Sequence, residues 1–97
     1  MSLLVITRFS ADPAHAEQVP TRHADLVSAT RAAVGGPIEA RLGRVDERQW
    51  VGVWRWESAE QLAAAREVAP GSPAATAAFA LVDDHPTAEE IPLVDER

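Results

Sequence analysis

Two stretches of this chain predict β-strands, and each of these strands would be apolar on both of its faces. Residues 2–10 (SLLVITRFS) and 49–56 (QWVGVWRW) are rich in β-branched and aromatic residues, which is typical of strands. In the second stretch the tryptophans point to one side, while Val51 and Val53 point to the other. One layer of helices covers only one side of a sheet, so the other side needs a further partner.

The remaining elements follow from helix and turn signals. They are a helix from Pro13 to about Val34, a strand at Ile38–Val45, a helix capped by Ser58 that is interrupted at Pro70–Pro73 and resumes to Val82, and a strand at Thr87–Val94. Pro20 predicts a kink or a late start of the first helix, and Pro92 favours an edge position for the last strand. The order β-α-β-β-α-β predicts a single ferredoxin-like α+β domain over residues 1–97, with an antiparallel sheet and two helices on one face.

Charge and residue usage exclude several classes of function. Fifteen acidic and nine basic residues give a net charge of −6, which disfavours partners such as nucleic acid or an anionic membrane. The chain has no cysteine, which excludes thiol catalysis and disulfides. His15, His23 and His85 lack the spacing of metal ligands, so no metal site is predicted. With no signal-peptide pattern and no long apolar run, we expect a cytoplasmic protein.

A second copy of the chain is the partner that we expect on the uncovered side of the sheet. Sheet-to-sheet packing would bury Leu4 and Ile6 of the first strand together with Val51 and Val53 of the third. The alternative is that Val51 and Val53 only lie on a half-exposed strand. The sequence thus predicts a homodimer.

The segment WVGVWRWESAEQLAAA resembles a recurring segment of antibiotic biosynthesis monooxygenase-like (ABM) proteins. The start LLVITRFSADP, the turn at Gly35-Gly36 and the strand IEARLGRV are similar to that family in order and spacing. The resemblance covers roughly residues 2–68 and implies a dimeric α+β barrel. Its superfamily includes cofactor-independent quinol-type oxygenases, haem-degrading enzymes, polyketide cyclases and members of unknown role.

The chain departs from the oxygenase and haem-degrading patterns that the resemblance brings with it. Oxygenases of polyketide quinols have an Asn, a Trp and a Tyr where this chain has Gly52, Trp56 and Leu62. Haem-degrading relatives have an Asn and a ligand His where this chain has Thr7 and about Ala65. The resemblance therefore implies that no haem or other cofactor is used, and it keeps only the Trp of the oxygenase set.

The three tryptophans are the first candidates for a ligand site. Trp50, Trp54 and Trp56 share the side of their strand that should face the helices, and Thr7 has the matching parity on the first strand. Their indoles are suited to wall a slot for a small aromatic molecule. The alternative is that these large side chains only fill a small core.

His23 is the candidate for proton transfer. It lies on the apolar stripe of the first helix with Val19 and Leu26, and an imidazole in a pocket can take a proton from a phenol or quinol. A core histidine bonded to a backbone carbonyl is the alternative. With the resemblance, the predicted catalytic residues are His23 and Trp56, and the predicted substrate-binding residues are Trp50, Trp54, Thr7 and Leu62.

Three functions stay open at this point. The first is a cofactor-independent monooxygenase that acts on a small aromatic, quinol-type metabolite. The second is a non-catalytic small-molecule-binding or accessory protein on the same fold. The third is a polyketide cyclase-like enzyme or isomerase that uses the same pocket without oxygen.

Overall fold

The two apolar runs form the central strands of a four-stranded antiparallel sheet. The computed structural model describes residues 2–83 and 85–97. Its elements in chain order are β1 (Leu3–Ser10), α1 (Gln18–Val34), β2 (Glu39–Arg44), β3 (Gln49–Trp56), α2 (Ala59–Val68), α3 (Pro73–Phe79) and β4 (Thr87–Pro92). The strand order is β2-β3-β1-β4, which confirms the ferredoxin-like α+β prediction and the edge position of β4. Within the described residues, no helix is long and apolar enough to span a bilayer.

The pairing of β1 with β3 decides which side chains face the helices. It brings Trp56, Trp54, Gly52 and Trp50 opposite Leu3, Val5, Thr7 and Phe9, respectively. Directly opposed residues of an antiparallel pair share one face of the sheet. A buried cluster joins this face to α2 and consists of Leu3, Val5, Trp56, Leu62 and Ala65. The tryptophans therefore lie on the helix-covered side, as the alternation predicts.

The first helical stretch begins later than Pro13. The Asp12 carboxylate accepts the Ala14 N–H at 2.9 Å and caps only a 3-10 turn at Pro13–His15. The α-helix proper starts at Gln18, which places Pro20 in its first turn, where the missing N–H is tolerated. Of the two outcomes predicted for Pro20, the structure has the late start.

The second helical stretch is interrupted at the predicted prolines and forms two helices, so the layer predicted as two helices contains three among the described residues. Ser58 caps α2 as predicted, since its Oγ accepts the Gln61 N–H at 3.1 Å. A 3-10 turn at Ala69–Gly71 then separates α2 from α3, which ends at Phe79 and not at Val82. Prolines at the turn and at the start of α3 lack the N–H groups that a continuous helix needs.

On the opposite face of the sheet, residues 2–83 and 85–97 place no helix. A central apolar patch on this face, half-buried in the single chain, consists of Leu4, Ile6, Val51, Val53 and Ile91. Beside it, the Arg55 guanidinium forms ion pairs with Glu39 at 3.2 Å and with Glu96 at 2.9 Å. The predicted two-sided apolar character of β1 and β3 is confirmed.

One glutamine side chain connects the turn after α1 to the start of α2. Gln61 Nε2 donates to the Val34 carbonyl at 3.5 Å, and Gln61 Oε1 accepts the Glu57 N–H at 3.1 Å. A β-carbon at Gly36 would lie 2.6 Å from Gln61 Cδ. The absence of a side chain at position 36 therefore keeps both bonds in place.

We expect Gly36→Ala to lower the free energy of unfolding by about 1–2 kcal/mol, because the Gln61 amide must move and loses its bonds. Gly71→Ala is the matched control, since a β-carbon there meets nothing within 4 Å. It should be neutral or slightly stabilising. Urea unfolding of both variants measures the difference, and equal stabilities would contradict the role given to Gln61.

Candidate functional site

A cavity of about 310 Å³ lies between the helix-facing side of the sheet and the helices. Val5 and Thr7 of β1 and Gly52 of β3 line it from the sheet. A β-carbon at Gly52 would lie 3.9 Å from Trp54 Nε1, within ordinary contact distance. Because Gly52 has no side chain, the middle of β3 leaves space that its tryptophan neighbours would otherwise share.

Two of the three tryptophans form an aromatic wall of the cavity. The rings of Trp54 and Trp56 have their centroids 6.0 Å apart and are tilted by 40°. Trp56 is only 3% exposed, and its Nε1 finds no hydrogen-bond acceptor in the described part of the chain. A buried N–H without an acceptor is unfavourable by roughly 1–3 kcal/mol. This N–H is shielded from the cavity as well as from solvent, so the penalty belongs to the packing of the core.

The His23 imidazole reaches the cavity from α1 and is bonded to the aromatic wall. Trp54 Nε1 donates a hydrogen bond to His23 Nε2 at 2.9 Å, and the two rings meet edge to face. Since Nε2 accepts, a neutral His23 carries its proton on Nδ1. Burial lowers the pKa of His23 from its ordinary value of 6.5. A hydrogen bond to the neutral ring lowers that pKa in the same direction, so His23 is neutral at pH 7.

This bond bears on the two sequence interpretations of His23. The ring lines a cavity and its partner is an indole N–H, so it is not the core histidine bonded to a backbone carbonyl. The lone pair that a base needs is, however, engaged by Trp54. In this arrangement His23 offers an Nδ1–H donor, and the role of proton acceptor requires Trp54 to release Nε2.

The structure does not bring Trp50 to the cavity. Its ring stacks on Phe9, with centroids 6.5 Å apart and planes within 8°, and packs against Val19. The Arg44 guanidinium lies over the Trp50 ring, 5.1 Å from its centroid. Trp50 lies two residues before Gly52, near the start of β3, where Phe9 and Val19 line the cavity in its place. The interpretation of Trp50 as a core residue fits this position.

Some cavity residues were missed by the sequence analysis. Arg22, Arg66 and Phe79 line the cavity from the three helices. Arg66 follows Leu62 by one helical turn and so shares its face, a spacing that could have identified it. Arg22 is likewise three residues after Val19. The alanine-rich sequence around Phe79 carries no comparable signal.

The described residues offer few side chains that could coordinate a metal ion or a haem iron. Within residues 2–83 and 85–97 no group of three or more histidines, cysteines or carboxylates is arranged to hold a metal ion. Thr7 lines the cavity and carries a hydroxyl. Ala65 of α2 is buried in the core beside Leu62 and Trp56. These two positions do not fit the ligands of a haem iron.

The family of the chain follows from its sequence as a whole. Residues 2–80 match the model of the family described as antibiotic biosynthesis monooxygenase. The chain belongs to this family. The match confirms the resemblance and extends it beyond residue 68, through α3.

Solved structures share the fold of this ABM-family protein at low sequence identity. SnoaB, a cofactor-independent oxygenase from Streptomyces nogalater, is 22% identical with a TM-score of 0.72, and the match covers 98% of this chain and 95% of SnoaB. A protein from Bordetella bronchiseptica is 16% identical with a TM-score of 0.80, over 96% and 97% of the two chains. A protein from Mycobacterium tuberculosis is 23% identical with a TM-score of 0.73, over 99% and 98%. No match is found among curated proteins.

In this ABM-family chain, the three positions matched to the oxygenase pattern all line one cavity. They are Gly52, Trp56 and Leu62, and Thr7 lies directly opposite Gly52. Of the six predicted site residues, the structure therefore brings together His23, Trp56, Trp54, Thr7 and Leu62, and leaves out Trp50.

We expect the lowered pKa of His23 to make stability depend on pH. The unfolded chain protonates this imidazole near pH 6.5, whereas the folded chain resists protonation until lower pH. His23 therefore stabilises the fold fully above pH 6.5, and this contribution is lost as the pH falls. Urea unfolding at about pH 7.5 and about pH 5.5 should show a smaller loss in His23→Gln than in the wild type.

The exposed His15 provides the control for this pH effect. His15→Gln should keep the full pH dependence of the wild type. If His23→Gln and His15→Gln have the same pH dependence, the buried neutral state assigned to His23 is wrong.

Proposed function

We propose that the protein is a cofactor-independent monooxygenase that acts on a small aromatic, quinol-type metabolite in the cavity between sheet and helices. The observation that carries this proposal is the pairing of an indole wall, Trp54 and Trp56, with a neutral histidine in one apolar cavity. Membership of the ABM family supports it, as does the likeness in fold to a cofactor-independent oxygenase. A cytoplasmic location is part of the proposal.

The aromatic wall suits a flat substrate. Offset contact with Trp54 or Trp56 favours an aromatic ring, and displacement of water from the apolar lining adds to binding. A substrate oxygen that accepts the His23 Nδ1–H would fix the orientation of the substrate ring in the cavity.

The reaction needs an electron-rich substrate. Dioxygen is the oxidant: one of its atoms enters the ring, and the other leaves as water with the two hydrogens that the substrate gives up. A deprotonated quinol transfers electrons to dioxygen more readily than the neutral form. In this route the quinol proton passes to solvent water, and His23 stabilises the quinolate by donating from Nδ1–H to its oxygen in a cavity of low polarity.

The predicted role of His23 as the base remains an alternative within this proposal. It requires the Trp54 N–H to leave Nε2, which then accepts the quinol proton. Trp54→Phe separates the two roles, because it frees Nε2 and removes the group that fixes the proton on Nδ1. An activity that is kept or raised in this variant favours the base, and a lowered activity favours the donor.

We expect the wild-type protein to consume oxygen with at least one member of a panel of naphthalene and anthracene hydroquinones. His23→Leu should lower the rate by about 10²–10⁴-fold, because either role requires a ring nitrogen. His15→Leu, at an exposed histidine outside the cavity, should leave the rate unchanged. An oxygen electrode measures the rates, and equal rates in wild type and His23→Leu would contradict the catalytic role of His23.

A non-catalytic binding role is the second candidate, and a specific observation favours it. Gly52 and Leu62 lie in the cavity at the positions where the resemblance implies Asn and Tyr, so two polar side chains are absent from the site. Quenching of tryptophan fluorescence by hydroquinones, with no oxygen uptake across the panel, would favour this role over the oxygenase.

We further propose that two copies of the chain pack through the open faces of their sheets. The central apolar patch, Leu4, Ile6, Val51, Val53 and Ile91, is flanked on the same face by charges of both signs, Arg8, Arg41, Glu39 and Glu89. A patch with apolar centre and mixed charges around it suits an isologous contact, in which the same surface is used twice. This places the cavities on the outer, helical sides of the pair.

We expect the wild-type protein to elute at twice the monomer mass, because pairing removes the apolar patch from water. Ile6→Glu should give a monomer or an unfolded chain, since the pair would bury a carboxylate whose cross-strand neighbours are Val53 and Glu89. Val94→Glu is the control, because Val94 is 92% exposed and outside the sheet. Light scattering during gel filtration measures the mass, and a stable wild-type monomer at micromolar concentration would contradict the pairing.

A further inference from the structure

The charged side chains that line the cavity are both arginines. They are Arg22 of α1 and Arg66 of α2, and none of the described residues lining the cavity is acidic. The chain as a whole has the opposite balance, with fifteen acidic and nine basic residues. The charges that line the cavity are therefore opposite in sign to the net charge of the chain, and a lining cation without a counter-ion attracts anions.

Of the two arginines, Arg22 is the better candidate to bind an anion. It is half-buried, precedes His23 on α1, and makes neither an ion pair nor a hydrogen bond with any residue in 2–83 or 85–97. A guanidinium group presents several N–H donors in a planar fork that matches a carboxylate. Held beside an apolar cavity without a counter-ion, this fork is available to a ligand.

Arg66 marks the entrance of the cavity. Its side chain is 56% exposed and forms an ion pair with Glu90 of β4. Phe79, which also lines the cavity, is 55% exposed, so the end of α3 borders the same entrance. Glu90 does not line the cavity itself. An anion that enters would compete with Glu90 for the Arg66 guanidinium.

We propose that the cavity selects an aromatic substrate that bears a carboxylate. The ring lies against Trp54 and Trp56, and the carboxylate is bound by Arg22, with Arg66 at the entrance. This inference deepens the proposed function, because it rests on the cavity being the substrate site. It adds the chemical class that the apolar wall alone does not specify, since the wall accepts neutral and charged aromatics alike.

The experiment compares an acid with its neutral isostere. We expect calorimetric titration of the wild-type protein with 2-naphthoate to give a Kd about tenfold lower than titration with 2-naphthamide, about 1.4 kcal/mol. Arg22→Met keeps the apolar stem and removes the charge, so it should abolish this preference while leaving the amide affinity within about twofold. Arg97→Met is the charge-matched control, because Arg97 lies at the chain end with its side chain 88% exposed.

Two substitutions at the entrance should change the affinity for 2-naphthoate in opposite directions. Glu90→Gln releases Arg66 from its ion pair, so 2-naphthoate should bind several-fold more tightly, whereas Arg66→Met should weaken it. The proposal is overturned if 2-naphthoate binds no better than 2-naphthamide, or if Arg22→Met and Arg97→Met behave alike. Loss of oxygen uptake on every hydroquinone, with the acid preference intact, would instead remove only the oxygenase function.

Discussion

The antiparallel pairing of β1 with β3 is the contact on which the site depends. It sets Trp54 and Trp56 beside the helices and sends Val51 and Val53 to the open face. A slip of one residue in this register would exchange the two faces, because side chains alternate along a strand. Both faces are apolar, so hydrophobicity alone does not prevent the slip. The polar partners do: the Trp54 indole N–H has its acceptor, His23, only on the helical side, and Arg55 has Glu39 and Glu96 only on the open side.

Much of the fold could be predicted because its signals are local. Alternation along QWVGVWRW fixes which residues share a face, and Ser58 caps a helix through a bond to a residue three positions away. The division of the second helix depends on how two prolines combine with the intervening turn, and the sequence shows only that an interruption occurs. Likewise, Pro20 permits a kink or a late start, and the choice belongs to the packing around it.

The site was harder to predict because its decisive contacts join distant parts of the chain. Parity places the three tryptophans on one face but does not show that Phe9 and Val19 enclose Trp50 while Trp54 stays beside the cavity. The hydrogen bond between Trp54 and His23 spans 31 positions, and no sequence pattern near either residue predicts it. That bond changes the chemistry inferred for the histidine. The sequence indicates a group able to accept a proton, whereas the three-dimensional partner determines which nitrogen holds one.

The missing side chain of Gly52 connects the size of the cavity to the rigidity of the sheet. Glycine inside a strand loses more backbone entropy on folding than alanine does, a difference of roughly 0.5–1 kcal/mol. A single substitution by a larger residue would therefore stabilise the central strand and also fill the space next to Trp54. Selection for thermal stability alone would therefore tend to close the cavity. The glycine at this position exchanges some stability of the central strand for free space beside Trp54.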